Sequence, residues 1–214
     1  MKAIQVFENN AQKYDEWFES HPFIYQSEIA ALSRFIPSKG RGLEIGVGTG
    51  RFAKPFNIKE GIEPAEAMAE LAKKRGITVY KAVAEELPFY ESTFDYITII
   101  TTICFFQDPF KALQEARRVL CPGGFLIIGL IDKNSNLGKD LAAKSAKSEF
   151  YKYATFYTVE DVLKWLNTLD FTNIQICQTL FKEPAKITAV EPLRDGYGEG
   201  GFVAISSKTK KAGN

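Results

Sequence analysis

Apolar side chains recur along the first 40 residues at the spacing of helices. Four of them lie four, three and four residues apart, which predicts one face of a helix over residues 3–19. These four are Phe7, Ala11, Tyr14 and Phe18. His21-Pro22 then interrupts the pattern, and a second helical stripe ends at the helix breakers in residues 37–40. That stripe consists of Tyr25, Ile29, Leu32 and Ile36.

Two later segments, residues 94–100 and 125–131, are apolar at nearly every position, as expected of strands buried on both faces. Shorter runs extend the set to seven predicted strands, at residues 41–46, 60–63, 77–82, 94–100, 125–131, 173–180 and 201–207. Further helices are predicted at residues 65–75, after Asp108-Pro109, and after Thr158-Val159-Glu160-Asp161, which resembles a capping box.

Strands and helices alternate through the first five strands, and two strands separated by a loop follow near the end. This order predicts an α/β fold that is Rossmann-like, with a mainly parallel seven-stranded sheet, helices on both faces and an antiparallel edge strand. Only a short helix is expected after the first strand because Pro55 interrupts it, and residues 134–157 are predicted to be irregular. No repeat or linker divides the chain, so a single domain over residues 1–214 is expected.

The first strand leads into a glycine-rich turn with Gly46, Gly48 and Gly50 at two-residue spacing. Glycine accepts positive φ and lets another group approach the main chain closely. A helical segment that opens after such a turn leaves N–H groups pointing outward. In α/β proteins this is where nucleotide-like ligands bind, outside the carboxyl ends of the strands.

Composition narrows the function classes. The 214 residues carry a net charge of +1, which is not the basic footprint of a nucleic-acid-binding protein. The basic tail at residues 208–211 is expected to be solvated. No apolar run approaches about 18 residues, so no membrane span is expected, and the first residues do not resemble a signal peptide.

Metal-binding and nucleophilic chemistry find little support in the sequence. Cys104, Cys121 and Cys177 form no C-x-x-C pair and His21 is the only histidine, so neither a zinc site nor a Ser-His-Asp triad is expected. Reduced thiols and a cytoplasmic location are predicted.

Several short motifs follow one another along the chain. They are Phe7-x6-Tyr14-Asp15, Glu44-x-Gly46-x-Gly48-x-Gly50, Glu63-Pro64-x3-Met68, Ala84-Glu85-x-Leu87-Pro88-Phe89, Phe94-Asp95, Asp108-Pro109, Leu113-x-Glu115 and Arg118-Val119-Leu120-x-Pro122-Gly123-Gly124. In this order they resemble the class I S-adenosylmethionine-dependent methyltransferases, in particular the small-molecule branch that includes ubiquinone- and menaquinone-biosynthesis enzymes. The resemblance implies S-adenosylmethionine as cofactor, S-adenosylhomocysteine as product, and in-line transfer of the methyl group to an unidentified small molecule.

The resemblance also implies a cofactor site and an organisation of the chain. The site would consist of Tyr14, Glu44, Ile45, Gly46, Val47, Gly48, Glu63, Pro64, Met68, Ala84, Glu85 and Thr101. Residues 1–40 would form lid helices, residues 41–132 the cofactor-binding core, and residues 133–214 a substrate-side insert with the final strands.

Two of these residues have a second interpretation, and a third needs a partner. Glu63 would accept hydrogen bonds from both ribose hydroxyls, but it would also suit a surface position before a helix N-terminus. Met68 would pack on the adenine or in the core. Glu44 needs a polar partner if it is buried, and the resemblance offers the loop main chain and the methionine part of the cofactor. Many relatives carry Asp at the position of Val83, where it contacts the adenine amine.

The resemblance identifies neither the acceptor nor a catalytic residue. An acceptor pocket is expected from Tyr14, Trp17, His21, Tyr25, Cys104, Phe105, Phe106 and the aromatic run at residues 150–157. Asp132 would steer or deprotonate an amine, or simply occupy a turn after its strand. The protein would be a monomer or a homodimer with no nucleic-acid partner.

Two other functions compete with methyl transfer. A nicotinamide-dependent oxidoreductase usually has G-x-G-x-x-G, which the two-residue glycine spacing here does not match. A protein that binds S-adenosylmethionine for regulation, without turnover, has weak support from the departure at Val83.

Overall fold

A computed structural model describes residues 2–210, in which eight strands and six α-helices are found. The strands are β1 (Gly42–Ile45), β2 (Glu60–Ile62), β3 (Thr78–Tyr80), β4 (Phe94–Ile100), β5 (Leu120–Ile131), β6 (Thr172–Thr179), β7 (Arg194–Asp195) and β8 (Phe202–Lys208). The helices are α1 (Lys2–Ser20), α2 (Pro22–Ser33), α3 (Glu66–Lys74), α4 (Pro109–Val119), α5 (Asn136–Lys144) and α6 (Val159–Thr168).

All eight strands belong to one sheet in the order β3-β2-β1-β4-β5-β8-β6-β7. The first five strands are parallel, with Leu43 opposite both Glu60 and Ile97. β8 runs antiparallel to both of its neighbours, β5 and β6. The predicted α/β fold is therefore confirmed. The sheet has eight strands instead of seven because β7, inside the predicted loop, pairs with Cys177 and Gln178 at the edge of β6.

Helices cover both faces of this sheet, as the apolar strands require. On one face α4 and α6 bury Leu113, Ala116, Val162 and Leu166 against β4 and β5. On the other face α1 and α2 pack with the segment after β1, through residues such as Phe18, Leu32 and Phe52. The predicted helix starts are also confirmed. Asp108 Oδ1 accepts a hydrogen bond from Lys111 N, and Thr158 and Asp161 form a reciprocal capping box.

Two local predictions were wrong, and a third holds only in part. Residues 51–57 form turns instead of a short helix, because Pro55 has no N–H to donate and Asn57 adopts a positive φ of 57°. The segment after β5 contains a regular helix, α5, whose first turn is capped by the Ser135 hydroxyl. The basic tail is solvated only in part: Lys208 belongs to β8 and Thr209 N donates to Gly124 O, whereas Lys210 is exposed as predicted. Lys211 lies outside the described residues.

The buried face of α2 also differs from the predicted stripe. Ile24, Ser27, Glu28 and Ala31 are buried, whereas Tyr25 and Ile29 are only half-buried. The helix is therefore rotated by about one residue from the predicted orientation, and this rotation brings a carboxylate to its inner face.

Candidate active site

A first cavity of about 110 Å³ lies at the carboxyl ends of β1, β2 and β4. This is the point where the strand order reverses between β1 and β4, which is where ligands bind in open α/β sheets. Ten of the twelve residues predicted for the cofactor site line it, namely Tyr14, Ile45, Gly46, Gly48, Glu63, Pro64, Met68, Ala84, Glu85 and Thr101. The structure thus brings together residues that are up to 87 positions apart in the sequence.

The glycine turn after β1 is held in shape by its own main chain. The N–H groups of Gly46 and Val47 both donate to Ile62 O, at 2.9 Å each. Gly46 has a φ of +73°, and a side chain there would come within 2.4 Å of Thr102 Oγ1. Glycine is therefore required at this position by both the backbone conformation and the space. The turn leaves an open, backbone-lined floor at this side of the first cavity.

Glu63 links the glycine turn to the start of α3. Its Oε2 accepts from Gly48 N at 3.0 Å and its Oε1 accepts from Ala65 N at 2.9 Å. The side chain is only 8% exposed and lines the first cavity. Burial raises the pKa of Glu63 to about 7, although the two backbone bonds oppose the shift. A carboxylate held in this way has lone pairs left for further hydrogen-bond donors from the cavity.

Two predicted site residues, Glu44 and Val47, do not line the first cavity. The Val47 side chain packs against Gly61, beneath the turn, and belongs to the core. Glu44 is 1% exposed within β1, and its Oε2 has no hydrogen-bond partner in residues 2–210. Burial raises the pKa of Glu44 well above its usual value. An orphaned carboxylate oxygen under the glycine turn fits a site that a polar ligand completes.

Glu85 lines the first cavity, but one of its carboxylate oxygens already accepts hydrogen bonds from the protein backbone. Its Oε1 accepts from Gln107 N at 2.8 Å and from Asp108 N at 3.2 Å, which ties the loop after β3 to the start of α4. Met68 is 2% exposed and packs with Ala11 and Ala65 while it also lines the cavity, so its two interpretations are both compatible with the structure. Val83 lines the same part of the cavity and is 38% exposed.

A second cavity, of about 260 Å³, adjoins the first. The two share Phe7, Tyr14, Thr101 and Phe105, which form the boundary between them. The second cavity is mostly aromatic and aliphatic, with Trp17, Phe18, His21, Ile24, Glu28, Phe52, Ile131, Leu137, Leu141, Phe150, Tyr151, Leu180, Pro184 and Ile187 as the other lining residues.

Only part of the predicted acceptor pocket lies at this second cavity. Tyr14, Trp17, His21, Phe105, Phe150 and Tyr151 line it. Tyr25 instead donates its hydroxyl proton to Arg51 O, and Phe106 lines the first cavity. Asp132 Oδ1 accepts from Asn134 N and Val159 N, so its turn interpretation is the one that the structure supports.

The sequence did not point to Glu28, which lines the second cavity from α2. It is 4% exposed, and burial raises its pKa to about 8. The predicted stripe placed its neighbours Tyr25 and Ile29 inward, and nothing local in the sequence shows which face of an apolar helix is buried. In the sequence, Glu28 is recognisable only as an acidic residue among apolar ones.

Helix α1 closes over both cavities and is fixed by a buried ion-pair network. Asp15 accepts from Arg51 Nε at 2.9 Å, from Arg51 Nη2 at 2.8 Å and from Arg75 Nη2 at 2.7 Å. Arg75 Nη1 also donates to Thr49 O in the glycine turn. The network therefore joins α1 to the turn and to the end of α3. Next to it, Phe7 packs on Phe105 with ring centroids 4.9 Å apart.

Comparisons with known proteins agree with this geometry. Residues 43–128 match a family described as a methyltransferase domain. A crystal structure from Thermotoga maritima is 46% identical, with a TM-score of 0.93, and the match covers 96% of this chain and 99% of that one. That protein is described as an S-adenosylmethionine-dependent methyltransferase and possible histamine N-methyltransferase. The chain belongs to the class I S-adenosylmethionine-dependent methyltransferases, and S-adenosylmethionine is its cofactor.

Two other relatives are similar to the chain in sequence. An uncharacterised protein of Methanocaldococcus jannaschii is 53% identical over 205 residues, covering 96% of this chain and 99% of the relative. A demethylmenaquinone methyltransferase of Staphylococcus aureus is 30% identical over 141 residues, covering 58% of this chain and 57% of that enzyme. The family decides against a nicotinamide-dependent oxidoreductase.

Two negative findings complete the description of residues 2–210. No helix among them is both long and apolar enough to cross a membrane. In the same range no three His, Cys, Asp or Glu side chains are grouped in a way that would hold a metal ion.

Proposed function

We propose that the protein transfers a methyl group in line to a small-molecule acceptor that binds in the second cavity. One observation carries the proposal: ten of the twelve predicted cofactor residues line the first cavity, which meets the second along Phe7, Tyr14, Thr101 and Phe105. S-adenosylmethionine supplies an electrophilic methyl group on its sulfonium. The protein then has to hold the methyl donor and the methyl acceptor on opposite sides of this boundary.

Each wall of the first cavity has a proposed task. Glu63 accepts hydrogen bonds from the ribose hydroxyls, while the loop that contains Ala84 and Glu85 contacts the adenine. The floor formed by Ile45, Gly46 and Gly48 lies under the methionine part, with the orphaned Glu44 oxygen below it. Tyr14 and Thr101 are at the boundary with the second cavity. Positioning and the exclusion of water supply most of the rate enhancement, so no acid–base dyad is required.

The predicted division of the chain into a lid, a cofactor-binding core and a substrate-side part is compatible with these roles and stays a prediction. Residues 1–40 act as a lid, since α1 covers both cavities and Asp15 fastens it. Residues 133–214 contribute Leu137, Phe150 and Leu180 to the acceptor side. A cytoplasmic location is supported by three free thiols. The absence of a nucleic-acid partner and a monomeric or homodimeric state also stay predictions.

Turnover with a labelled methyl donor tests the proposed function. The protein is incubated with S-adenosylmethionine that carries a labelled methyl group, together with small amines, phenols, thiols and carboxylic acids, each at one concentration. We expect the label in at least one acceptor and stoichiometric S-adenosylhomocysteine. Binding of S-adenosylmethionine without transfer to any acceptor would favour a regulatory protein. A denatured sample serves as the control for spontaneous methylation.

Changing Val83 to Asp is expected to tighten cofactor binding about fivefold. Val83 stands where many relatives have an Asp that contacts the adenine amine, and its side chain lines the first cavity. A new acceptor for that amine contributes about 1 kcal/mol. Calorimetry with S-adenosylhomocysteine measures the change, and Val83→Ala, which adds no acceptor, is the control. Equal affinities for the Asp and Ala variants would place the adenine elsewhere.

A further inference from the structure

Glu28 is a buried carboxylate with no partner. It is 4% exposed, and no hydrogen bond or ion pair within residues 2–210 reaches its side chain. Its oxygens are not among the completely enclosed polar atoms that lack a partner, so they open onto the second cavity. Its neighbour Ser27 is equally buried, yet the Ser27 hydroxyl donates to Phe23 O and accepts from Glu191 N. The buried hydroxyl of Ser27 thus has hydrogen-bond partners within the protein, whereas the neighbouring Glu28 carboxyl has none. Because its oxygens face the second cavity and no protein group binds them, Glu28 is available to bind a ligand there.

The surroundings of Glu28 indicate what would complete it. It lines the second cavity, whose described lining contains no lysine or arginine. The other titratable groups of that lining are the Tyr14 and Tyr151 phenols and His21, which stacks on Trp17 with ring centroids 4.5 Å apart. A phenol is never cationic, and burial raises the pKa of both phenols, so they stay neutral. His21 Nδ1 lies 2.9 Å from Trp17 O, and no hydrogen bond or ion pair joins its ring to Glu28. The partner of Glu28 is therefore expected to come with the ligand.

Aromatic faces favour the same ligand charge. Trp17, Phe18, Phe150 and Tyr151 lie around the cavity that contains Glu28. Aromatic rings attract cations through their negative faces, and a buried carboxylate attracts them more strongly. Above pH 8, where Glu28 is ionised, an anionic acceptor would meet repulsion from it, and a purely apolar acceptor would leave the carboxylate unpaired. The volume, about 260 Å³, suits a small molecule with a compact apolar body.

We propose that the second cavity binds a small amine with an apolar body, and that Glu28 binds its nitrogen and takes its proton. This inference rests on the proposed methyl transfer and names the acceptor class. An ammonium ion has no free lone pair, so it cannot attack a methyl group. Transfer of one proton to the Glu28 carboxylate gives a neutral amine and a neutral carboxyl. The nitrogen lone pair then bonds to the methyl carbon, and the electron pair of the broken C–S bond stays on sulfur.

The charges balance through this sequence. The positive charge of the sulfonium ends on the methylated nitrogen. Glu28 then releases its proton to solvent, and the carboxylate stabilises the methylated ammonium beside it. The pKa of about 8 that burial gives Glu28 makes it a better proton acceptor than an exposed glutamate. An exposed glutamate, with a pKa near 4.3, would leave a solution amine of pKa about 10 almost fully protonated.

The inference is tested first by binding. At pH 8.5 the complex with S-adenosylhomocysteine is titrated with 2-phenylethylamine and tyramine. The neutral analogues are 2-phenylethanol and 2-(4-hydroxyphenyl)ethanol, and the anionic analogues are 3-phenylpropionate and 3-(4-hydroxyphenyl)propionate. We expect at least one amine to bind and its uncharged or anionic analogue to bind at least about 30-fold more weakly. This comparison uses the unaltered protein, so it does not depend on how any variant folds. Equal affinity for amine and alcohol would overturn the inference.

The second test changes Glu28 itself. Glu28→Gln keeps the shape of the side chain and is expected to weaken amine binding at least about 30-fold and to lower kcat/KM for the amine at least about 100-fold. Its affinity for S-adenosylhomocysteine should stay within twofold, because Glu28 does not line the first cavity. Glu16→Gln, an exposed carboxylate on α1, is the matched control and should match the unaltered protein.

Failure of the inference and failure of the proposed function are distinguishable. Amine binding that Glu28→Gln leaves unchanged, or label transferred only to phenols, thiols or acids, would overturn the role of Glu28 and leave methyl transfer intact. If no acceptor is labelled, methyl transfer itself fails, and the binding comparison still decides whether Glu28 holds an amine. Glu28→Leu gives a further check, since removing an unpaired buried acid should raise the melting temperature while abolishing amine binding.

Discussion

Replacing Asp15 by alanine is expected to lower the free energy of unfolding by about 3 kcal/mol. Asp15 is 8% exposed and accepts hydrogen bonds from both Arg51 and Arg75. Its removal leaves two largely buried guanidinium groups without their main counter-charge, which costs more than the pair itself contributes. Urea denaturation followed by circular dichroism measures the change.

The same substitution is expected to weaken cofactor binding at least about tenfold, since it releases the helix that carries Tyr14. Arg51 follows the glycine turn and Arg75 holds Thr49 O within it, so Asp15 is the point where the lid is fastened to the cofactor side. A loosened α1 must be ordered again when the cofactor binds, and that ordering reduces the affinity. Calorimetry with S-adenosylhomocysteine, below the melting temperature of the variant, measures the affinity.

Glu19 provides a matched control because it pairs with the same Arg51 at the surface. The Glu19 side chain is 72% exposed, and an exposed pair of this kind contributes between 0 and about 1 kcal/mol. Glu19→Ala should therefore change stability little and cofactor affinity not at all. If both substitutions destabilise equally, the charge on Arg51 matters but burial of the pair does not, and the role assigned to Asp15 is wrong.

The pH dependence gives an independent measure of the same network. The hydrogen bonds from Arg51 and Arg75 outweigh burial and hold the pKa of Asp15 at about 2, below its usual 3.8. Asp15 therefore stabilises the fold fully above pH 4, and this contribution of about 2 kcal/mol is lost as the pH falls towards 2. In Asp15→Asn that part of the acid sensitivity should be absent.

Much of the fold follows from local patterns, because each is enforced by chemistry within a few residues. The apolar runs of β4 and β5 require burial on both faces, and Asp108-Pro109 fixes the start of α4 through one capping bond. The two-residue β7 was not predicted, because Arg194 and Asp195 show no alternation of apolar and polar residues that would indicate a strand. Their pairing depends on the neighbouring edge of β6.

The first cavity was predictable because its residues follow strand ends, and parallel strands bring their carboxyl ends together. The second cavity was not, since Trp17, Phe150 and Leu180 come from three distant segments. Glu28 became a site residue only through the rotation of α2. Likewise, Asp15 ends one motif and Arg51 directly follows another, and nothing in either motif shows that the two residues form a pair 36 positions apart.

Replacing Glu63 by alanine is expected to weaken binding of S-adenosylmethionine by about 1.5–3 kcal/mol, roughly 10- to 150-fold. Hydrogen bonds to a charged acceptor are the stronger class, and Glu63 would accept two from the ribose. The carboxylate is already oriented by Gly48 N and Ala65 N, so little ordering is required when the ligand binds. Calorimetry well below the melting temperature measures affinity, since loss of these two backbone bonds also lowers stability.

Protonation provides a second readout for Glu63. The ribose hydroxyls bind the ionised form, and the pKa in the free protein is about 7. Affinity for S-adenosylmethionine should therefore be nearly constant above pH 8 and fall towards tenfold for each unit below pH 6. In Glu63→Gln, which cannot ionise, this part of the dependence should disappear.

Glu66 separates ribose binding from the other interpretation of Glu63. Glu66 is also an acidic residue at the start of α3, but its side chain pairs with Lys73 and Lys81 at the surface, outside the first cavity. If Glu63 acted only through the helix dipole, Glu63→Ala and Glu66→Ala would have similarly small effects on affinity, each under about 1 kcal/mol. A large effect at position 63 alone, with the matching loss of pH dependence, requires direct contact with the ligand.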